Sequence, residues 1–231
     1  MTLKTLTPIE ARVLATLMEK ARTVPDSYPL SLNALVLGCN QKTSREPLMD
    51  INDDDTRTAL QTLKAQSLVF EAATSRVPRF EHNFQRGAFV NEPQAVALGL
   101  LMLRGPQTAA ELRLNGDRWY KFADAETVEM VLQALQQRGD DGGQALVLKL
   151  PKMPGAREAR WTHLLCGELD IAALQTAAVA PPRGESDSLL DRLTALETTV
   201  ASLRADNQQL RAHLANISTQ LGITLEDKSP L

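Results

Sequence analysis

The chain has 231 residues and a mass of 25.3 kDa, with 43% hydrophobic and 23% charged residues. That composition excludes a wholly disordered chain, leaves room for one or two globular domains, and contains no apolar run near the ~20 residues of a membrane span. The net charge of −3 excludes a polycation, so any contact with nucleic acid must come from a local patch.

The opening, Met1 to Pro8, lacks a basic stretch followed by an apolar segment and a small-residue cleavage site, so no export signal is expected. Cys39 and Cys166 lie far apart and read as two reduced, partly buried thiols of a cytoplasmic protein.

Thr7-Pro8-Ile9-Glu10 offers an N-cap, a Pro at the first helical position and a Glu three residues after the cap. Ile9, Val13, Leu14, Leu17 and Met18 then recur at helical spacing. Pro25 and Pro29 form a loop, and Ser31 caps a second helix with Leu32, Leu35 and Val36 inward. A third helix begins near Asp53 with Leu60 and Leu63 inward. Ser67 to Phe70 reads as a strand, Ser75 to Pro78 as a turn, and Arg79 to His82 as the return strand.

That order repeats. Glu92 to Arg104 predicts a helix stopped by Gly105-Pro106, and Thr108 caps a short helix holding Leu112. Asp124 caps a third helix with Val128, Val131, Leu132 and Leu135 inward. Ala145 to Leu150 and Ala159 to Leu165 read as strands around a Gly/Pro turn. Three helices followed by a β-hairpin is the winged-helix pattern. The two copies share pattern rather than residues.

The expected fold is therefore mainly α with small β-hairpins (α+β): two tandem winged-helix domains, residues 1–90 and 91–169. The competing reading is one α+β domain with a fused core. In the tandem reading, Leu14, Leu17, Leu60, Leu63 and Leu68 bury together, and Leu100, Leu101, Leu132, Leu135 and Leu148 form a separate cluster.

From residue 170 the character changes. Residues 170–186 are rich in Ala and Pro and read as a linker. Residues 187–222 carry a heptad pattern: Leu189, Leu196, Leu203, Leu210 and Ile217 at position d, with Leu193, Val200, Asn207, Leu214 and Leu221 at position a. Leu at d with one Asn at a favours a parallel two-stranded coil. Arg192 faces Glu197 and Asp206 faces Arg211 across that register. A helix folding back on its own domains is the alternative. Gly222 marks the helix end, and residues 223–231 read as a disordered tail.

Tyr28 to Asn33, Cys39 to Pro47, Leu103 to Thr108 with Glu111-Leu112-Arg113, and Gly155 to Arg160 with His163-Leu164 closely resemble the YceH-like family of uncharacterised bacterial proteins. The likeness covers about residues 6–168, and Asn40-Gln41-Lys42 is its most specific piece. It implies a tandem winged-helix fold and a C-terminal coiled coil, and brings no reaction, ligand or catalytic residue.

No catalytic set, metal site or cofactor motif stands out. Cys166 and His163 read as neighbours on one strand end rather than a nucleophile and base. Asp53-Asp54-Asp55 complements a helix dipole without any cation. Trp119, Tyr120 and Phe122 read as core packing, with a partner-binding patch beside a basic stretch as the alternative.

A winged helix reads DNA with its third helix, and phosphates require cations on that face. Both candidate helices instead start with acid, so the candidate nucleic-acid contacts are Arg57 on the first of them and, on turns and wings, Lys42, Arg45, Arg76, Arg79, Lys152, Arg157 and Arg160. The residues point to a non-enzymatic binding protein, a DNA-binding regulator dimerised by its coil. The alternative is a protein–protein adaptor. Expected partners are a second copy of the chain and either double-stranded DNA or a protein, without a membrane.

The tail supplies the first testable outcome. Light scattering should find a dimer at micromolar concentration, and truncation after Pro182 should leave folded monomers. Asn207→Leu should raise thermal stability while loosening the oligomeric state. A monomeric full-length chain would replace the coil by the folded-back helix.

Overall fold

The computed structural model describes residues 3–72, 77–139, 143–153 and 155–167. The linker, the heptad segment with its dimerisation residues, and the last nine residues lie outside them. The described residues belong to a single compact unit that ends at Ile171. They form a mixed fold of seven α-helices and two small antiparallel sheets.

Helix starts follow side-chain chemistry. Helix α1 (Pro8–Thr23) opens with a reciprocal capping box between Thr7 and Glu10. Ser31 caps α2 (Leu32–Cys39) and Asn52 caps α3 (Asp53–Ala65). Asn91 and Gln94 box the start of α5 (Glu92–Arg104), and Thr108 and Glu111 that of α6 (Ala109–Gly116). Asp124 caps α7 (Ala125–Gln137). Each cap satisfies N–H groups that the first helical turn leaves without partners. Helix α5 ends at Gly105, whose φ of 69° lies in the left-handed region that glycine tolerates.

In the first half, β1 (Leu30–Ser31) lies between α1 and α2 and pairs with β3 (Arg79–His82), which pairs with β2 (Val69–Ala72). The sheet order is β1-β3-β2, with Leu30 opposite Phe80 and Val69 opposite His82. A short helix, α4 (Phe84–Gly87), joins the halves.

The second half repeats the topology with less sheet. β4 (Val147–Lys149) pairs with β5 (Trp161–His163), and Gln107, between α5 and α6, forms a bridge to Trp161. Gln107 thus occupies the place that β1 holds in the first half.

The sequence reading missed β1 and α4, too short for any periodicity. It also misplaced one strand residue. Leu146 and Val147 are buried and Leu148 is half-buried, so the expected inward Leu148 is corrected to its neighbours.

The two expected apolar clusters are one. The buried residues of both halves form a single contiguous core. The cause is helix α5, whose residues Ala95 to Leu103 are all buried. Its most extensive partner is α1, buried from Glu10 to Glu19. A helix buried all round has no solvent face at which two domains could part. At the crossing, a Cβ on Gly99 would come within 2.7 Å of Trp119 Cζ3 and 3.1 Å of Met18 Cε. Leu6 N–H also donates to Leu165 O at 2.8 Å, tying the start of the first half to the end of the second.

Gly99→Ala should therefore destabilise the whole unit by about 1–3 kcal/mol, the usual cost of overpacking a closed contact. Leu14→Ala and Leu101→Ala should each cost about 2–5 kcal/mol. Urea unfolding of all three followed by fluorescence and by circular dichroism should give coincident single transitions. Separate transitions would restore two independent cores.

Candidate binding surface

The segment that looked most distinctive in sequence, Asn40 to Pro47, fastens the fold internally. Asn40 Nδ2 donates to Ile51 O at 2.7 Å, and Ile51 N–H donates to Asn40 Oδ1 at 2.9 Å, closing the loop between α2 and α3. Gln41 Oε1 accepts from Lys20 and from Arg45.

Arg45 is 5% exposed and fully engaged. Its Nη2 lies 2.6 Å from Glu19 Oε2, and its Nε and Nη2 donate to Gly38 O at 3.1 and 2.8 Å. Burial acts to raise the Glu19 carboxyl. The bond from Arg45 and its charge outweigh that, so the group lies below its ordinary value. Arg12, 1% exposed, donates to Cys39 O at 3.1 Å and Pro47 O at 2.6 Å.

The eight candidate nucleic-acid residues therefore divide. Arg45 points inward and is corrected from a phosphate contact to a core fastener. Arg79 donates to Pro29 O at 2.8 Å. Arg160 donates to Pro106 O and to Glu111 Oε1, both at 2.7 Å. Lys42, Arg57, Lys152 and Arg157 are exposed and hold no ion pair among the described residues. Arg76 lies outside those residues.

Helix α3 presents Asp53 and Asp54 to solvent at its start, with Arg57 one turn on. Lys64 near its end pairs with Glu71. In the second half, the start of α7 and the β4–β5 hairpin enclose an open groove of about 380 Å³ lined by residues including Glu126, Glu129, Glu158 and Lys149. Lys149 pairs with Glu129 and lies 5.2 Å from the centre of the Trp161 ring. The third helix of each half thus shows exposed carboxylates in its first turn.

Trp119 and Phe122 are buried at 8% and 7% exposure, as expected for packing residues. Cys39 is buried, whereas Cys166 is exposed, correcting the expectation of two partly buried thiols. His163 Nδ1 is buried without a hydrogen-bond partner. Burial holds both His82 and His163 at about 4, well below 6.5, with the Arg22 charge adding to the effect at His82. No helix among the described residues is long and apolar enough to cross a membrane.

A mixed helical unit with two small antiparallel sheets is the class that the fold defines, and comparison supplies the family. The family model "Protein of unknown function, DUF480" matches residues 6–156, and the chain belongs to that family. It is 72% identical over 227 residues to a UPF0502 protein of Polaromonas sp. strain JS666, covering 98% of this chain and 95% of the relative. A UPF0502 protein of Polaromonas naphthalenivorans is 61% identical over 87% of this chain and 96% of its own. One from Verminephrobacter eiseniae is 56% identical over 95% and 88%.

Two outcomes follow from these buried charges. Arg45→Gln should cost about 3–5 kcal/mol, because it leaves Glu19 with its main partner removed. The measure is a denaturation midpoint. The second outcome is acid sensitivity. The folded state resists protonating His82 and His163 until about pH 4, whereas the unfolded chain takes up those protons near pH 6.5. Their contribution is complete above 6.5 and is lost as pH falls through that window. In urea titrations at a series of pH values, His163→Gln should flatten the loss of stability between pH 6.5 and 4.

Proposed function

We propose that the protein is a non-enzymatic docking module: two winged helices fused through α1 and α5, joined to a coil that pairs two chains in parallel. It binds a protein partner through α3, α7 and the wings. The helix–strand–helix–helix–hairpin order of the first half, repeated in the second with the Gln107 bridge in place of the strand, supports the winged-helix assignment. The heptads at Leu189, Leu193, Leu196, Val200, Leu203, Asn207, Leu210 and Leu214 support the coil.

One observation carries the choice of partner. The third helix of each half begins with exposed carboxylates, Asp53 and Asp54 in one and Glu126 in the other, while Arg45 is buried. A phosphate backbone is repelled by such a face, and a basic protein surface is attracted to it. Double-stranded DNA is the second reading. It rests on the exposed Lys42, Arg57, Lys152 and Arg157, and would give weak, salt-dependent binding led by backbone contacts.

Pull-down of the full chain from bacterial cells, with and without nuclease, separates the two. The docking reading expects partners that persist after nuclease. It also expects their recovery to fall severalfold when Asp53, Asp54 and Asp55 are changed together to Asn. Loss of the partners with nuclease, together with low-salt duplex shifts abolished by removing charge at Lys42, Arg57, Lys152 and Arg157, would establish the DNA reading instead.

A further inference from the structure

A second opening in the surface lies where the halves meet. The end of α5, the start of α6, the turn at residues 44–46 and the strand leading into β5 enclose an open cleft of about 350 Å³. That volume falls within the ordinary range of small-molecule sites. Its floor is a connected set of side chains. Gln107 Nε2 donates to Leu100 O at 3.1 Å, and Asn115 Nδ2 donates to Gln107 Oε1 at 2.7 Å. Arg104 donates to Asn115 Oδ1 at 2.9 Å and to Ser44 Oγ at 2.7 Å. Asn115, Arg104 and Ser44 are each partly exposed to the cleft.

The inventory of unused groups is lopsided. A guanidinium carries five N–H donors, and two of those on Arg104 are engaged. Ser44 Oγ accepts from Arg104, which leaves its own hydrogen available, and Asn115 keeps one amide hydrogen. Apart from the exposed Glu46 carboxylate, the acceptors around them are engaged. Asn115 Oδ1 and Gln107 Oε1 each hold a donor, Ser44 O accepts from Arg45 at 2.9 Å, and Glu111 accepts from Arg160 and from Thr108 N–H. Donors without acceptors call for a ligand rich in oxygen.

The charge agrees with that count. Both partners of Arg104 are neutral, and no carboxylate pairs with it among the described residues. The Arg45 guanidinium belongs to the same wall, and its carboxylate partner Glu19 is not part of the lining. Burial pushes the Arg104 guanidinium below its ordinary value, the nearby Glu19 carboxylate opposes that shift, and Arg45 adds to it.

We propose that this cleft binds a small oxyanion, a carboxylate or a phosphate monoester, on the Arg104 fork, with Arg160 at its mouth. A planar guanidinium matches both groups in a bidentate fashion. Glu46 lines the same cleft, is exposed and holds no side-chain partner among the described residues. It restricts the site to small ligands and disfavours an extended polyanion. Because the lining comes from both halves, the ligand bridges them, as an effector of a docking module would.

The test is isothermal titration of the full chain in low-ionic-strength Tris chloride, with inorganic phosphate in one arm and citrate in the other. Saturable binding of either supports the site, and the arm that binds names the oxyanion. Arg104→Gln should weaken binding by about tenfold or more. Glu46→Gln should tighten it severalfold, and Arg86→Gln, exposed and outside the cleft, should leave it unchanged. If Arg104→Gln does not fold, as judged by circular dichroism, Arg104→Lys keeps the charge, removes the fork and should still weaken binding. Absence of saturable binding of both probes up to about 10 mM, beyond the range of weak specific sites, would overturn the proposal. So would equal binding by a folded Arg104 variant, or no change with Glu46→Gln.

Discussion

The crossing of α1 and α5 is the contact on which the rest of the unit depends. Each helix is buried over most of its length, and each belongs to a different half of the repeat. Burying nine consecutive residues of α5 requires neighbours on every side. The second half supplies α6 and α7, and the first half supplies α1. Trp119, from the α6–α7 connection, fills the space that Gly99 leaves at the crossing. The halves therefore cannot rotate against each other without exposing the nine buried residues of α5, at roughly 25 cal/mol per Å² uncovered. A repeat built this way acts as one rigid platform.

Rigidity at the other seam is polar. Helix α2 has eight residues, too few to be stable without help at its ends. Its last carbonyls are met by arginines: Gly38 O by Arg45 and Cys39 O by Arg12. Cations at a helix C-terminus complement its dipole, and the carbonyls there lack intrahelical partners. The buried Glu19 then balances Arg45, so the loop after α2 is held by charge-assisted bonds where an apolar anchor would otherwise be needed. That loop also delivers Ser44 and Glu46 to the cleft, and Glu46 N–H donates to Leu103 O at 2.7 Å, which connects it to the end of α5.

Local features were legible in the sequence and global ones were not, for identifiable reasons. Thr7 with Glu10, Ser31, Thr108 and Asp124 announced helix starts because capping acts within three residues. Gly105 announced a stop for the same reason. The heptads speak equally plainly but lie outside the described residues. The fused core stood only as the competing reading, because the start and stop signals around Glu92 to Arg104 do not say which neighbours cover the helix. The available signal was the unbroken run Ala95 to Leu103, which has no polar side at all. Arg45 was misread because a lone cation in a polar loop gives no sign of burial. Its partners, Glu19 and Gly38, are 26 and 7 residues away. The cleft was invisible for the same reason: Ser44 and Arg104 meet across 60 residues.

The same electrostatics explains why an abundance of arginine says little about ligand. Carboxylates in the first turn stabilise α3 and α7 by meeting exposed N–H groups, which satisfies the fold and at the same time repels phosphate from the end that a DNA reader would present. Arginines, meanwhile, are drawn to surplus carbonyls: Arg12 and Arg45 at α2, Arg79 at Pro29, Arg138 at Ala88 and Arg160 at Pro106. Each such bond removes a cation from the pool available to a partner. Arg104 differs in one respect. It meets two neutral side chains at an open cleft, so its charge is oriented without being neutralised. A cation held in place by neutral side chains and reachable from solvent retains the capacity to bind an anion that the buried arginines have lost.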